Sequence, residues 1–194
     1  MSVLYVPPCP TTCGGSVPPV EFNECTPLYH WGEISKIYIG PITIPHFADV
    51  SSITEWNAQL DNNDPADGHI RTLIVIGDMP EPEILEVPTS GDRIAIGYRT
   101  FSVNFEIDET GSVHEETVVA DHNYTFLLLN QCGGKYKIWF ETSDGLLYGG
   151  EDGIECSIRM NQIIPRERNA LVKIMGKATW KSLQAPFRCH SPLY

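Results

Sequence analysis

A strictly alternating run at Arg99–Ile107 constrains the fold of this chain more than any other segment. Its apolar members occupy every second position, namely Phe101, Val103, Phe105 and Ile107. A period of two is that of a pleated strand with one buried face. The same alternation recurs in Lys135–Glu141, Glu155–Gln162 and Leu171–Trp180. The pattern predicts a domain built mainly from antiparallel strands.

Other segments add strands of less regular pattern. Trp31–Ile44 is strand-like and is interrupted by Gly40-Pro41, which predicts a bulge or an edge strand. Ile84–Val87 and Arg93–Tyr98 flank a turn sequence. Ile70–Ile76 is almost continuously apolar, which predicts a strand covered on both faces. Together these segments favour an antiparallel β-sandwich or half-barrel.

Short helices are expected at two places. Ser52–Glu55 has the form of a capping box, in which a serine and a glutamate satisfy the first backbone N–H groups of a helix. A second helix is predicted from Asp121 to Gln131, because Tyr124, Leu127 and Leu128 recur at helical spacing before a Gly-Gly stop. The predicted fold therefore contains one or two short helices.

Proline divides the chain into regions. Residues 1–30 contain repeated Pro and Gly, which exclude a lasting helix or central strand, and apolar residues are interspersed among them. An extended N-terminal arm that crosses onto another copy and a disordered leader both fit this composition. The predicted domain covers residues 31–181, and a C-terminal extension without regular structure covers residues 182–194.

The charge of the chain excludes some functions. A formal net charge of −12 argues against sequence-independent nucleic-acid binding, which depends on cations that displace counterions from phosphates. Seven of the 13 Lys and Arg residues follow Cys156, where Glu167 is the single acid. This asymmetry fits either a solvated surface or basic and acidic faces that meet between copies. No membrane span or signal peptide is predicted, so we expect the chain to fold in a cytoplasm.

Six cysteines do not form the pattern of a disulfide framework. Four residues near the N-terminus have the donor types of a tetrahedral zinc site, Cys9, Cys13, Cys25 and His30. They lack a CxxC knuckle, so small buried or unpaired thiols are the favoured interpretation. No cofactor is predicted.

Catalytic motifs are absent from the sequence. It has no GxSxG, GxxxxGK[ST] or HExxH motif, and no GxGxxG follows a strand. The six histidines are scattered and lie mostly in predicted loops. We therefore predict a protein that is not an enzyme. Open strand edges and an extended arm promote aggregation of a monomer. In a ring they can instead pair with neighbouring copies, which cover one another's edges.

Part of the sequence resembles a known group of proteins. The segments that carry the resemblance are Tyr98–Thr110, Cys132–Gly134, Tyr136–Thr142 and Leu147–Gly150. They are similar to virion structural proteins of tailed phages that infect Bacteroidota, including the crAss-like group. The order of elements over residues 31–181 also resembles the tail-tube fold, in which antiparallel sheets are flanked by one helix.

The resemblance implies a subunit of the phage tail or neck that forms a homo-oligomeric ring around a channel for exiting DNA. Its partners would be further copies and other virion proteins such as a portal, tail or hub protein, with no sequence-specific nucleic-acid binding and no membrane. Carboxylates lining a channel repel phosphate, and the candidates on polar strand faces are Asn104, Glu106, Glu141 and Glu155. The candidate contacts to a neighbouring copy are Arg159, Arg166, Arg168, Lys173 and Lys177.

Two alternatives stay open at this point. One is a head decoration protein. The other is a carbohydrate-binding β-sandwich on a fibre or surface, for which exposed tryptophans would act as platforms for sugar rings. The four tryptophans are Trp31, Trp56, Trp139 and Trp180.

Overall fold

The computed structural model describes residues 32–60, 70–89, 93–108, 135–167 and 171–194. Within these ranges the chain forms nine strands and one helix. Their order is β1 (Ile34–Gly40), α1 (Ile53–Leu60), β2 (Arg71–Asp78), β3 (Glu83–Thr89), β4 (Arg93–Asp108), β5 (Lys135–Thr142), β6 (Leu146–Tyr148), β7 (Ile154–Ile163), β8 (Lys173–Ser182) and β9 (Arg188–His190). The predicted N-terminal arm and the predicted second helix lie outside the described residues.

Six of the strands close into an antiparallel barrel, in the order β1-β2-β4-β8-β7-β5. Closure occurs because β1 pairs with β2 along one edge and with β5 along the other. The mainly antiparallel β architecture is thus confirmed. A sandwich or half-barrel would leave strand edges open, whereas closure pairs the two ends of the sheet with each other.

The barrel interior is a continuous apolar core. It contains the alternating residues of β4 that the sequence singled out, together with Ile158 and Met160 of β7 and Ala178 and Trp180 of β8. Gly176 of β8 is required here, because the ring of Phe105 fills the space that a Cβ atom would occupy. The ring of Phe101 stacks on Trp180 at a centroid distance of 5.5 Å. The period of two in these strands therefore reflects one face packed inside the barrel.

A second apolar layer covers the outside of β1 and β5. Helix α1 and the segment before it place Trp56 and Phe47 against Tyr38 and Trp139. The rings of Trp56 and Trp139 meet edge to face at 5.7 Å, and those of Phe47 and Trp56 stack at 4.6 Å. Strand β5 is consequently buried on both of its faces.

Helix α1 begins where the capping box predicted it, but the glutamate is used differently. Glu55 accepts hydrogen bonds from the backbone N–H groups of Ala48 and Asp49, at 2.9 Å and 3.3 Å. The predicted apolar stripe is only partly buried, since Ile53 is 44% exposed while Trp56 is fully buried. The helix is held mainly by this one tryptophan and by the loop that Glu55 fixes.

The C-terminal extension is ordered against the outer layer. Strand β9 pairs with β6, and the N–H of Ser191 donates to the carbonyl of Gly145 at 2.8 Å. The N–H of Gly149 donates to the carbonyl of Phe187 at 3.0 Å. The prediction that residues 182–194 lack regular structure was therefore wrong. Three residues are too few to give an alternating signal, and β9 forms because β6 offers it an edge.

Strand β4 is longer than the barrel. Its residues from Arg99 to Asp108 pair with β8, and the last β8 partner is Ser182, opposite Arg99. Residues 93–98 continue past that point and pair with β3 alone. At about 3.3 Å per residue these six residues carry the chain roughly 20 Å beyond the end of β8. We call the two-stranded segment formed by β3 and the start of β4 the ribbon.

Candidate functional site

Six of the nine channel and interface candidates from the sequence lie on one surface, the outer side of β4, β8 and β7. The register sets Asn104 opposite Lys177, and Lys177 opposite Arg159. Glu106 and Lys173 lie on the same side, close to the end of β4. We call this surface the β4–β8–β7 face. The predicted channel residues Asn104 and Glu106 therefore share a surface with predicted interface residues.

Lys173 is already neutralised within the chain. Its Nζ lies 3.0 Å from Oε1 of Glu106 and 3.8 Å from Oδ1 of Asp108. The hydrogen bond from Lys173 to Glu106 and the charge of that carboxylate raise the pKa of the lysine. This lysine is less available to a partner than the other cations of the face.

Arg159 and Lys177 form an unneutralised cation pair. They are directly opposite each other on adjacent strands, both are exposed, and their row continues through the neutral Asn104 to the exposed Asp78. Like charges at opposed positions of a sheet destabilise it. No ion pair among the described residues includes either side chain. We call these two residues the cation pair.

The remaining predicted surface residues are separate from this pair. Arg166 is exposed in the connection between β7 and β8, and Arg168 lies outside the described residues. Glu155 is exposed at the start of β7, with its neighbours Ile154 and Cys156 turned into the barrel.

Glu141 lies in the interior of the protein, although the sequence placed it on a polar strand face. Its carboxylate is on the outer side of β5, beneath the C-terminal extension, and only 1% of the side chain is exposed. It accepts hydrogen bonds from Lys36 at 2.8 Å, from the Tyr38 hydroxyl at 3.0 Å and from the Ser191 hydroxyl. Burial, followed by the charge and hydrogen bond of Glu141, raises the pKa of Tyr38. A carboxylate held in this way joins three segments and cannot line a channel.

The ribbon is a feature that the sequence did not reveal. Both of its strands were predicted, but the continuation of β4 beyond β8 depends on where β8 ends. The ribbon and the connection that leads into it expose three acids, namely Glu81, Glu83 and Glu86. Among them lie exposed apolar side chains, with Met79 37%, Ile84 48% and Leu85 59% exposed. We call residues 79–86 the acidic ribbon edge.

Strand β2 exposes apolar residues as well. Ile74 is 79% exposed and Ile76 is 52% exposed on the outer side, while Val75 is buried. The prediction that this strand is covered on both faces was wrong for the single chain, because the outer layer extends over β1 and β5 and not over β2. Its apolar outer face remains without a cover from the described residues.

The tryptophans do not form exposed platforms. Trp56 and Trp139 are fully buried, and Trp180 is 8% exposed. The indole N–H groups of Trp56 and Trp139 donate to the carbonyls of Val50 and Gly150, each at 2.8 Å. Trp31 lies outside the described residues. The three described tryptophans therefore serve the core.

The two described cysteines have thiols of low reactivity at neutral pH. The candidate zinc ligands Cys9, Cys13, Cys25 and His30 lie outside the described residues. Burial raises the pKa of Cys156 to about 12, so its thiol stays protonated at neutral pH. Burial, and then the charge of Asp49, raise the pKa of Cys189. In the described ranges no three His, Cys, Asp or Glu side chains are grouped as metal ligands.

Two shallow grooves lie at the end of the barrel where β4 terminates. The first, of about 470 Å³, is lined by Asp108, Ile163, Pro165, Leu171, Lys173 and Met175. The second, of about 450 Å³, lies between β2 and the end of β4, beside Ile74 and Ile76. The only charged groups in them are those of the Lys173 ion pairs. Neither groove presents a nucleophile beside a base.

No helix among the described residues is long and apolar enough to cross a membrane. In comparisons with known protein families, with curated proteins and with solved structures, nothing matches this chain. The function is therefore inferred from the surfaces of the chain itself.

Proposed function

We propose that the chain is a self-assembling virion structural protein, a ring-forming tail tube, connector or hub subunit that lines or supports a DNA exit channel in a tailed phage. The observation that carries the proposal is the ribbon. It extends beyond the barrel and exposes apolar side chains, including Ile84, Leu85 and Tyr98. Such a segment is suited to contact another molecule.

The physical argument is one of stability. An isolated two-stranded hairpin is at best marginally stable in water, because it has too little surface to bury. Ile84 and Leu85 are consecutive and both exposed, so neither side of β3 buries its apolar residue within the chain. A neighbouring subunit that covers the ribbon would remove this apolar surface from water.

The outer face of β2 supports the same proposal. Two consecutive outward positions of a strand, Ile74 and Ile76, are apolar and more than half exposed. Single exposed apolar residues are ordinary on protein surfaces, but adjacent ones next to an apolar groove mark interaction sites. A surface of this kind is expected on a subunit whose neighbours complete its packing.

We place the proposed channel between subunits. The barrel is filled with side chains, so DNA would pass through the hole of a ring and not through a barrel. A net charge of −12 suits a channel wall that DNA slides past. Asn104 and Glu106 share their face with the cation pair, so we assign them to contacts between copies. Glu155 lies at the start of β7 on the same outer side, four residues before Arg159, and we keep it as a candidate for the wall because it is farther from the cation pair than Asn104.

The proposed partners are further copies of the chain and other virion proteins such as a portal, tail or hub protein. The proposed location is the tail or neck of the particle, after assembly in the host cytoplasm. A head decoration protein is the nearest alternative, with the ribbon gripping a different protein. Binding of carbohydrate is disfavoured, because Trp56, Trp139 and Trp180 are buried.

Light scattering of the purified full chain over a wide concentration range tests the proposal, with negative-stain images of the same fractions. We expect closed rings or stacked tubes with a central hole. A chain that stays monomeric at the highest concentrations would refute self-assembly and leave the decoration protein as the better assignment.

A pair of variants makes the test specific to the surface. The double variant Ile74→Ser/Ile76→Ser removes the exposed apolar residues of β2 and should shift the mass distribution toward smaller species. Thr72→Ser lies on the same outer side and is the matched control. Equal assembly by both variants would show that the β2 face is not an intersubunit contact.

A further inference from the structure

We propose that the acidic ribbon edge of one copy docks on the cation pair of a second copy. The inference rests on the proposed self-assembly and identifies two surfaces that would meet. One is residues 79–86, and the other is Arg159 with Lys177. No ion pair among the described residues includes a charge of either surface, and the two charges are opposite.

The acids on the ribbon edge have no ion-pair partner among the described residues. Glu81, Glu83 and Glu86 are all exposed. No ion pair formed by the described ranges involves any of them. Arg159 and Lys177 are likewise unpaired and lie opposite each other, which is an unfavourable arrangement for a sheet. A carboxylate placed between them would reverse the sign of that interaction.

Apolar surface accompanies the charge on both sides. Met175 is 47% exposed on β8, two positions from Lys177 on the same outer side. Ile84 and Leu85 are exposed among the acids of the ribbon edge. A contact between the two surfaces would bury apolar groups at its centre and pair charges around them, as in stable protein interfaces.

The acids of the ribbon edge lie away from the cation pair of their own chain. The acid in the row of that pair is Asp78 of β2, which is opposite Asn104 and two strand spacings, or about 10 Å, from Lys177. Glu83 pairs with β4 four residues from Asn104, and β3 runs from there away from the barrel. Glu86 is therefore farther from the pair than Glu83, and a second copy is the partner that brings the acids of the ribbon edge to the cation pair.

The contact is made by side chains. Pro88 lies in β3, and proline and charged residues on an edge strand discourage the pairing of a further strand. Because the two surfaces are different patches of one chain, their contact is heterologous. A heterologous contact repeats from copy to copy, and it gives a ring when the rotation closes.

Charge reversal with mixing tests the proposal in the full chain. The ribbon variant is Glu83→Lys/Glu86→Lys, and the face variant is Arg159→Glu/Lys177→Glu. Each alone would set like charges against each other, and we expect its assembly constant to fall at least tenfold in light scattering. In an equal mixture every contact between unlike variants would be attractive, since the reversed ribbon meets the reversed face and the unchanged ribbon meets the unchanged face. We expect the mixture to assemble like the wild type.

Controls separate folding from assembly. Glu167→Lys reverses an exposed acid in the connection between β7 and β8, at the end of the barrel opposite to the ribbon, and should leave assembly unchanged. Circular dichroism and thermal melting report whether each variant is folded. Where a reversed variant does not fold, Glu83→Gln/Glu86→Gln and Lys177→Met replace it, with at least a threefold loss expected and a weaker dependence on salt than in the wild type.

The outcomes distinguish this inference from the proposed function. A monomeric wild type overturns self-assembly itself. A wild type that assembles, with folded reversed variants that assemble equally well, overturns only the docking of these two surfaces. If both variants lose assembly and the mixture does not restore it, the docking is also overturned. Each surface would then take part in assembly, but the two surfaces would not contact each other.

Discussion

The two halves of β4 differ in how much of the protein covers them. From Arg99 to Asp108 the strand pairs with β8 at every residue and turns Phe101, Val103 and Phe105 into a filled core. Residues 93–98 pair with β3 alone, and Tyr98 is 56% exposed. One continuous strand thus passes from a part that is buried in the core to a part that has a single neighbouring strand and an exposed side chain.

This difference indicates where stability and function reside. The barrel and its outer layer bury their apolar residues, and Glu141 obtains three hydrogen-bond donors within the chain. The described residues do not bury the apolar side chains Ile84, Leu85 and Tyr98 of the ribbon. Substitutions in the barrel should therefore change the free energy of unfolding, whereas substitutions in the ribbon should change association.

The largest loss of stability is expected from Trp139→Ala. The indole is fully buried between Phe47 and Trp56, and its N–H donates to the carbonyl of Gly150 at 2.8 Å. Truncation leaves a cavity and an unpaired carbonyl, so the free energy of unfolding should fall by about 3–5 kcal/mol in urea denaturation.

The milder variant Trp139→Phe keeps an aromatic ring and removes the donor. It should lose about 1–3 kcal/mol from the unpaired carbonyl and the smaller ring. If Trp139→Ala unfolds at nearly the wild-type urea concentration, the outer layer is not part of the cooperative barrel, and the contrast with the ribbon weakens.

Glu141→Gln should produce the next largest loss, about 1–3 kcal/mol of unfolding free energy. The substitution keeps the shape of the side chain but leaves the charge of Lys36 without its partner and gives the Tyr38 hydroxyl and Ser191 a weaker acceptor. Urea denaturation measures the loss. Glu155→Gln changes an exposed glutamate and should be nearly neutral. Equal stability of the two variants would contradict the structural role given to Glu141.

Alkaline pH should weaken the barrel through Cys156. Its pKa is raised from 9.0 to about 12, so between these values the unfolded chain loses the thiol proton while the folded chain keeps it. The unfolded state is then favoured, and stability falls by about 1.4 kcal/mol per pH unit as the pH rises above 9. Tyr38 and Cys189 act in the same direction. Cys156→Ala should show a shallower slope of unfolding free energy against pH, and an unchanged slope would contradict the burial of this thiol.

Sequence reasoning located the elements whose cause is local. The alternation of β4, β7 and β8 predicted strands with one buried face, and those faces form the barrel core. The capping box predicted where α1 begins. These signals are visible because each depends on residues close together in the chain.

The features that decide the candidate site depend on distant residues. Closure requires β1 to pair with β5, about a hundred residues later, and no local pattern records that pairing. Glu141 alternates like a surface residue, but the C-terminal extension covers it. The apolar run of β2 predicts two covered faces, although Ile74 and Ile76 are exposed in the single chain. The pairing of β1, the burial of Glu141 and the exposure of β2 each depend on segments distant in the sequence, or on another molecule, and not on the local pattern.

The smallest effect on folding is expected from Leu85→Ala in the ribbon. Because Leu85 is 59% exposed, the unfolding free energy of the dilute monomer should change by no more than about 0.5 kcal/mol. Leu147→Ala is the matched control, since that leucine is fully buried in the outer layer and should lose about 2–5 kcal/mol. At concentrations where the wild type assembles, the ranking of the two variants should reverse. Leu85→Ala should then reduce the mass measured by light scattering more than Leu147→Ala does. If the free energy of unfolding of the dilute Leu85→Ala monomer fell by more than about 2 kcal/mol, the ribbon would be packed within its own chain. The apolar surface that we propose for binding a neighbour would then already be buried.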